Sequence, residues 1–206
     1  MVDTATLWGL RCGVAVPIIY YGIQALAAPF FPGFSILQTT ASELGSDRTE
    51  YAPVFNAGIM LQGAASLAGA AGFFSALRRL GGNSALAALT AGAVAMSGVQ
   101  TLWAGYFPMP DARHGGHPAF IVAMVLLPVL LAAALWRHGG PALKAYLVGT
   151  LLLLAAVFPL MTGLSGLDTH AYRGLLQRVF TLAIFPPIGV GAFVLAWRIR
   201  RLPAAA

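Results

Sequence analysis

The feature that most constrains this chain is a series of six apolar segments, at about 8–30, 53–77, 84–107, 118–136, 144–163 and 175–197. Each is close to the roughly 20 residues that an α-helix needs to cross a bilayer. Lipid offers the backbone no hydrogen-bond partner, so segments of this kind must satisfy their own N–H and C=O groups. The sequence therefore predicts an all-α fold: a six-helix transmembrane bundle forming one integral-membrane domain over residues 1–206. Composition excludes the alternative of a soluble domain. Only 9% of the residues are charged and 59% are hydrophobic, whereas soluble domains carry about 25% charged residues.

The net charge of +6 does not point to nucleic acid. The basic residues lie between apolar runs rather than on one soluble face, so they report topology, and no nucleic-acid partner is expected. Arg78 and Arg79, Arg137 and Lys144, and Arg198, Arg200 and Arg201 all fall on one side of the expected bundle. Glu43, Asp47, Glu50, Asp111 and Asp168 fall on the other. The positive-inside rule then puts both termini in the cytoplasm of a multi-pass protein of the plasma or inner membrane. The apolar run at 10–28 is long enough to span, and it reads as an uncleaved first helix rather than a signal peptide. Cys12 stands alone, which excludes an intramolecular disulfide and a cysteine-based zinc site.

One polar stretch, Thr39 to Asn56, interrupts the first two spans and holds three of the six acidic residues. It is expected at the outer membrane surface. Thr40 and Glu43 have capping-box spacing, which predicts a short surface helix from about Ala41 to Glu50. Pro53 and Pro118 are placed for the first turns of their helices, and the Gly81-Gly82-Asn83 and Gly139-Gly140-Pro141 runs mark tight turns. Small residues four apart, such as Ala65 with Gly69, Ala68 with Gly72 and Ala88 with Gly92, predict close helix packing within the bundle.

Polar groups inside apolar segments are functional candidates. Gln24, Asn56, Gln62, Gln100 and Arg178 all fall in the outer half by chain counting. Arg178, about a turn into the sixth span, either snorkels to the surface or pairs with Glu43, Asp111 or Asp168, and its interruption of an apolar run favours the pair. The inner half holds no ionisable residue except Arg11 near its end, which argues against a proton relay or a midplane ion site. His114, His117 and His170 are expected on the outer side with Asp111 and Glu43. They form a candidate set for zinc, and a zinc-activated water there would hydrolyse a lipid ester or amide. The competing reading is that His117, just before Pro118, caps the fourth helix. No phosphate-cradling loop, nucleophile elbow or haem motif is present, so no cofactor is specified.

Ser42-Glu43-Leu44-Gly45, Pro53-Val54-Phe55-Asn56-Ala57-Gly58, Gly105-Tyr106-Phe107-Pro108 with Asp111 and His117, and Gly174-Leu175-Leu176-Gln177-Arg178 together resemble the DUF998 family of bacterial and archaeal membrane proteins. The resemblance covers nearly the whole chain. It implies a helical membrane protein with no assigned activity. The family pattern often has Asp after the serine, where this chain has Glu43, which keeps the carboxylate but changes its reach.

These readings converge on an outward-facing polar pocket of Ser42, Glu43, Asn56, Asp111, His117 and Arg178 that takes a lipid headgroup or small amphiphile. Two other functions fit the same residues. One is an accessory subunit packed against a membrane-protein partner or a second copy. The other is a metal-dependent interfacial hydrolase.

Overall fold

The computed structural model describes residues 3–202, and all regular structure among them is helical. The helices are α1 (Thr4–Ala27), α2 (Ala52–Arg79), α3 (Ser84–Tyr106), α4 (Pro118–Leu135), α5 (Pro141–Thr162), α6 (Arg173–Leu182) and α7 (Phe185–Arg200). Six helical stretches are long and apolar enough to cross a membrane, with α6 and α7 together making the sixth. The connections 28–51, 107–117 and 163–172 gather at one end of the bundle, here the loop end. The turns at 80–83 and 136–140 lie at the other end, where α1 starts and α7 stops; this is the terminal end.

The helix boundaries follow local chemistry. Asp3 caps α1, accepting from the Ala5 N–H at 3.0 Å and from the Thr6 hydroxyl at 3.2 Å. Asn83 caps α3 through the N–H groups of Ala85 and Leu86, and Gly81 supplies the left-handed φ of +75° that the turn before it needs. Pro53 and Pro118 occupy first-turn positions of α2 and α4.

Neighbouring helices pack in chain order, and α7 closes the ring against α1 while also meeting α2 and α4. The α1–α2 contact is a glycine crossing. A Cβ on Gly72 would lie 2.6 Å from the Leu10 nitrogen, and one on Gly9 would lie 2.7 Å from the Ala68 oxygen. Gly63 and Gly98 do the same for α2 and α3, each 2.7 Å from the other's carbonyl oxygen by the same measure. Small residues let backbones touch where lipid supplies no hydrophobic drive for association. The expected stripe of Ala88 and Gly92 differs from these. Both residues are exposed and a Cβ on Gly92 would meet nothing, so that face of α3 takes no part in packing.

Two further expectations need correction. The sixth span is not one helix: it breaks at Ala183-Ile184, where N–H groups bond three residues back to Phe180 and Thr181 at 3.0 Å. Pro186 and Pro187 cause this, because neither has an N–H to give the preceding turn. The short helix expected over 41–50 is present but covers only Ser42–Gly45, one 3₁₀ turn. The Glu43 carbonyl accepts from the Ser46 hydroxyl at 2.7 Å and the Gly45 carbonyl from Asn56 Nδ2 at 2.8 Å. Side chains thus occupy carbonyls that a longer helix would have used for itself.

Candidate functional site

The first connection does not lie loose on the surface. Residues 41–46 are buried apart from half-buried Ser42, held down by α6. The α6 N-terminus has no side-chain cap; its Gly174 and Leu175 N–H groups donate to the Leu37 carbonyl at 2.8 and 3.1 Å. These are the orphan donors of a helix start, satisfied by a neighbouring loop. Arg178 Nη1 donates to the carbonyls of Ile36, Thr39 and Gly174 at 3.2, 2.7 and 3.0 Å. Gln177 accepts from the Ala41 N–H at 2.6 Å and donates to the Ser42 hydroxyl at 3.3 Å. A Cβ on Gly174 would sit 2.5 Å from the Thr39 oxygen, so only glycine allows the approach.

Glu43 is the centre of this interlock. Its Oε2 accepts from the Thr40 N–H at 2.7 Å and the Thr40 hydroxyl at 2.9 Å. The Glu43 N–H donates back to Thr40 Oγ1 at 3.3 Å, completing the capping box expected from spacing. Oε1 accepts from Arg173 at 2.9 Å and Arg48 at 3.3 Å. The expected ion pair of Arg178 is therefore made instead by Arg173, five residues earlier on the same helix. Arg178 lies deeper and serves carbonyls that the non-helical backbone of 36–39 leaves without partners. Its Nη2 is buried with no protein partner.

Beneath this cover is a cavity of about 280 Å³. All six spans reach it: Tyr20 from α1, Asn56 from α2, Thr101 from α3, Met124 from α4, Met161 from α5, and Gln177 and Phe185 from α6 and α7. Ala41 and Ser42 form part of its roof, and Gln100 and His114 line one side. The wall is mostly apolar and aromatic. Its polar groups are hydroxyls, amides and one imidazole; no Asp, Glu, Lys or Arg lines it. The Gln100 Oε1 is buried without a partner, while its Nε2 makes a long 3.5 Å contact to the Gly115 carbonyl. One end of the Gln100 amide is therefore unsatisfied, whichever way the group is turned.

Of the residues singled out by sequence, Ser42 and Asn56 line this cavity, whereas Glu43 and Arg178 lie in the interlock above it. Asp111 and His117 join neither. Asp111 forms a fork with Arg113 at 3.0 and 2.7 Å. The Arg113 side-chain hydrogen bonds, then its backbone N–H, hold the Asp111 carboxyl down at about 2. His117 caps α4, accepting from the Ala119 N–H at 3.2 Å, as its place before Pro118 suggested. His114 contacts the Phe107 carbonyl at 2.8 Å and His170 is exposed. Among the described residues no three His, Cys, Asp or Glu side chains are grouped to hold a metal ion. The constellation read from the sequence is thus dispersed over three loops. Arg173 and Gln177 were missed as partners of the first connection. Their spacing of four with Arg178 beside them was the available signal, since it puts a polar stripe on α6.

The fold defines a multi-pass helical membrane protein. The DUF998 family pattern, described as a protein of unknown function, matches residues 14–198, and the chain belongs to this family. No curated protein and no solved structure matches it.

Proposed function

We propose that this protein is a membrane-embedded binding protein that takes a small amphiphile or lipid headgroup into the loop-end cavity, with residues 35–46 as its cover. The observation that carries the reading is the cavity itself, apolar in its walls and walled by every span beneath a buried polar loop. Ligand sites are typically apolar spaces with a few placed polar groups. The uncharged lining favours a neutral ligand with hydroxyl or amide groups over an ion, and the unsatisfied end of Gln100 supplies a hydrogen-bonding point. The volume of about 280 Å³ leaves room for a headgroup with its first few carbons.

The charge distribution supports an orientation. Arg78, Arg79, Arg137, Lys144, Arg198, Arg200 and Arg201 lie at the terminal end, so that end faces the cytoplasm and the cavity faces outward from a cell membrane. The test is mass spectrometry of co-purifying small molecules, comparing wild type with Ala104→Phe, which projects a ring into the cavity. A bound amphiphile present in wild type and lost in the variant is the expected result. An equal complement in both overturns the reading. Co-purification of a second membrane protein at fixed stoichiometry, with no bound amphiphile, replaces it with an accessory-subunit role.

A further inference from the structure

A second site lies at the opposite end of the bundle. We propose that the groove between α1 and α7 at the terminal end holds the phosphate of an anionic phospholipid, gripped by Arg11, Arg200 and Arg201. The inference is independent of the loop-end cavity.

The groove encloses about 620 Å³, and its lining combines these three arginines with Val14, Phe193, Ala196 and Trp197. Arg11, Arg200 and Arg201 are all exposed, and none has a carboxylate partner among the described residues. The described acidic residue at this end, Asp3, approaches Arg79 at 4.0 Å. Three guanidinium groups in one groove repel one another, and an anion between them relieves that repulsion.

The position of the groove selects the kind of anion. Arg11 lies near the start of α1, three residues beyond Trp8. An exposed arginine inside a span is costly in lipid unless it reaches the interface or meets an anion. Its guanidinium turns back over the Trp8 ring at 4.9 Å, and Arg201 stacks on Trp197 at 3.8 Å. Tryptophans mark the membrane–water interface, so both cations sit at headgroup level. The rest of the wall is apolar, and Phe193 is 64% exposed. A headgroup phosphate at the arginines with acyl carbons along Phe193 and Val14 matches both parts. A free phosphate would use only the first. Basic pockets between spans are a recurrent way of holding anionic lipid.

The test uses the full chain in a neutral detergent, titrated with phosphatidylglycerol or with phosphatidylcholine of matched acyl chains, and read by native mass spectrometry. Phosphatidylglycerol should bind roughly a hundredfold more tightly, about fivefold for each of the three arginines. A basic side chain near an anionic surface is worth about fivefold in affinity. Arg11→Gln/Arg200→Gln/Arg201→Gln should therefore lose roughly a hundredfold for phosphatidylglycerol and leave phosphatidylcholine unchanged. The pair Arg137→Gln/Lys144→Gln, at the same end but outside the groove, should leave it nearly unchanged, because neither side chain lines the groove. If the triple variant does not fold, Arg200→Gln/Arg201→Gln touches only the exposed last turn and should lose about twentyfold. Unchanged preference in either groove variant overturns the proposal. So does an equal loss in the Arg137/Lys144 pair, which would indicate a diffuse field. Competition by inorganic phosphate at equal concentration would reassign the site to the free ion and likewise overturn it.

Discussion

Replacing Glu43 tests whether the first connection is a fastened cover. The carboxylate is 10% exposed and has four donors, whereas Arg173 and Arg48 are 44% and 58% exposed. Each arginine pair is partly screened by solvent, so each contributes no more than about 0.5–1 kcal/mol. The two Thr40 contacts weigh more, because Glu43→Ala leaves a part-buried N–H and hydroxyl without an acceptor, at about 1–3 kcal/mol. Together Glu43→Ala should cost about 3 kcal/mol. For a chain of this length, 1 kcal/mol shifts the melting midpoint by about 2–4 °C, so a fall of about 6–12 °C is expected. Glu43→Gln keeps an acceptor for Thr40 but turns an NH₂ toward two guanidinium groups, and should lose about half as much. Tryptophan fluorescence in detergent reads the midpoint. A double-mutant cycle with Arg173→Ala should show a coupling of at least about 0.5 kcal/mol. A midpoint for Glu43→Ala within about 1 °C of wild type, or a coupling near zero, would refute the idea that α6 fastens the loop.

Gly174→Ala should displace the Thr39 carbonyl from Arg178 and cost about 1–3 kcal/mol, read as a lower melting midpoint, since the added Cβ falls 2.5 Å from that oxygen. Gly72→Val should separate α1 from α2, because backbone lies on both sides of the crossing, whereas Gly92→Leu meets open space and should leave the midpoint unchanged. Comparing the two variants by melting separates a glycine at a backbone crossing from one on an open face. His138, between α4 and α5, has its pKa lowered by burial and then by the Arg198 charge. The folded state therefore takes up a proton less readily than the unfolded chain, whose value is about 6.5. Stability from this group is complete above that value and is lost as pH falls below it. Melting curves from pH 8 down to pH 5 should fall more steeply for wild type than for His138→Gln.

The spans were legible because a long apolar run admits few structures in lipid, and Pro53, Pro118, Asn83 and the Gly81 turn marked their ends correctly. The break in the sixth span was legible in principle from Pro186-Pro187 but was masked by the unbroken hydropathy around it. The candidate site was half legible. Ser42 and Asn56 line the cavity, and the Thr40–Glu43 box formed as its spacing implied. Which arginine meets Glu43 was not, because that depends on how far α6 slides along the loop, a tertiary quantity that no local pattern encodes. Asp111 and His117 looked equivalent to the others in sequence, yet each is satisfied within its own connection, by Arg113 and by the start of α4. A short-range partner consumes such a residue before a distant element reaches it.

The cavity and its cover have a common origin in the break at Ala183-Ile184. Beyond it, α7 packs against α1, α2 and α4 and fills the bundle axis at the terminal end, whereas α6 packs against α5. The axis at the loop end is therefore vacated, and the residues on either side of the break, Phe180, Thr181 and Phe185, form part of the cavity lining. An open space at that level would expose polar backbone of the first connection to a poorly hydrated interior, at the cost of any unpaired buried group. α6 removes that cost, because Arg173, Gln177 and Arg178 face residues 36–43 and supply donors to the Gln38, Ile36 and Thr39 carbonyls and an acceptor to the Ala41 N–H. The same break thus brings α6 over the loop with the groups that make a buried polar roof stable. Movement of α6 about the break would loosen the roof and reshape the cavity together, since Gln177 belongs to both.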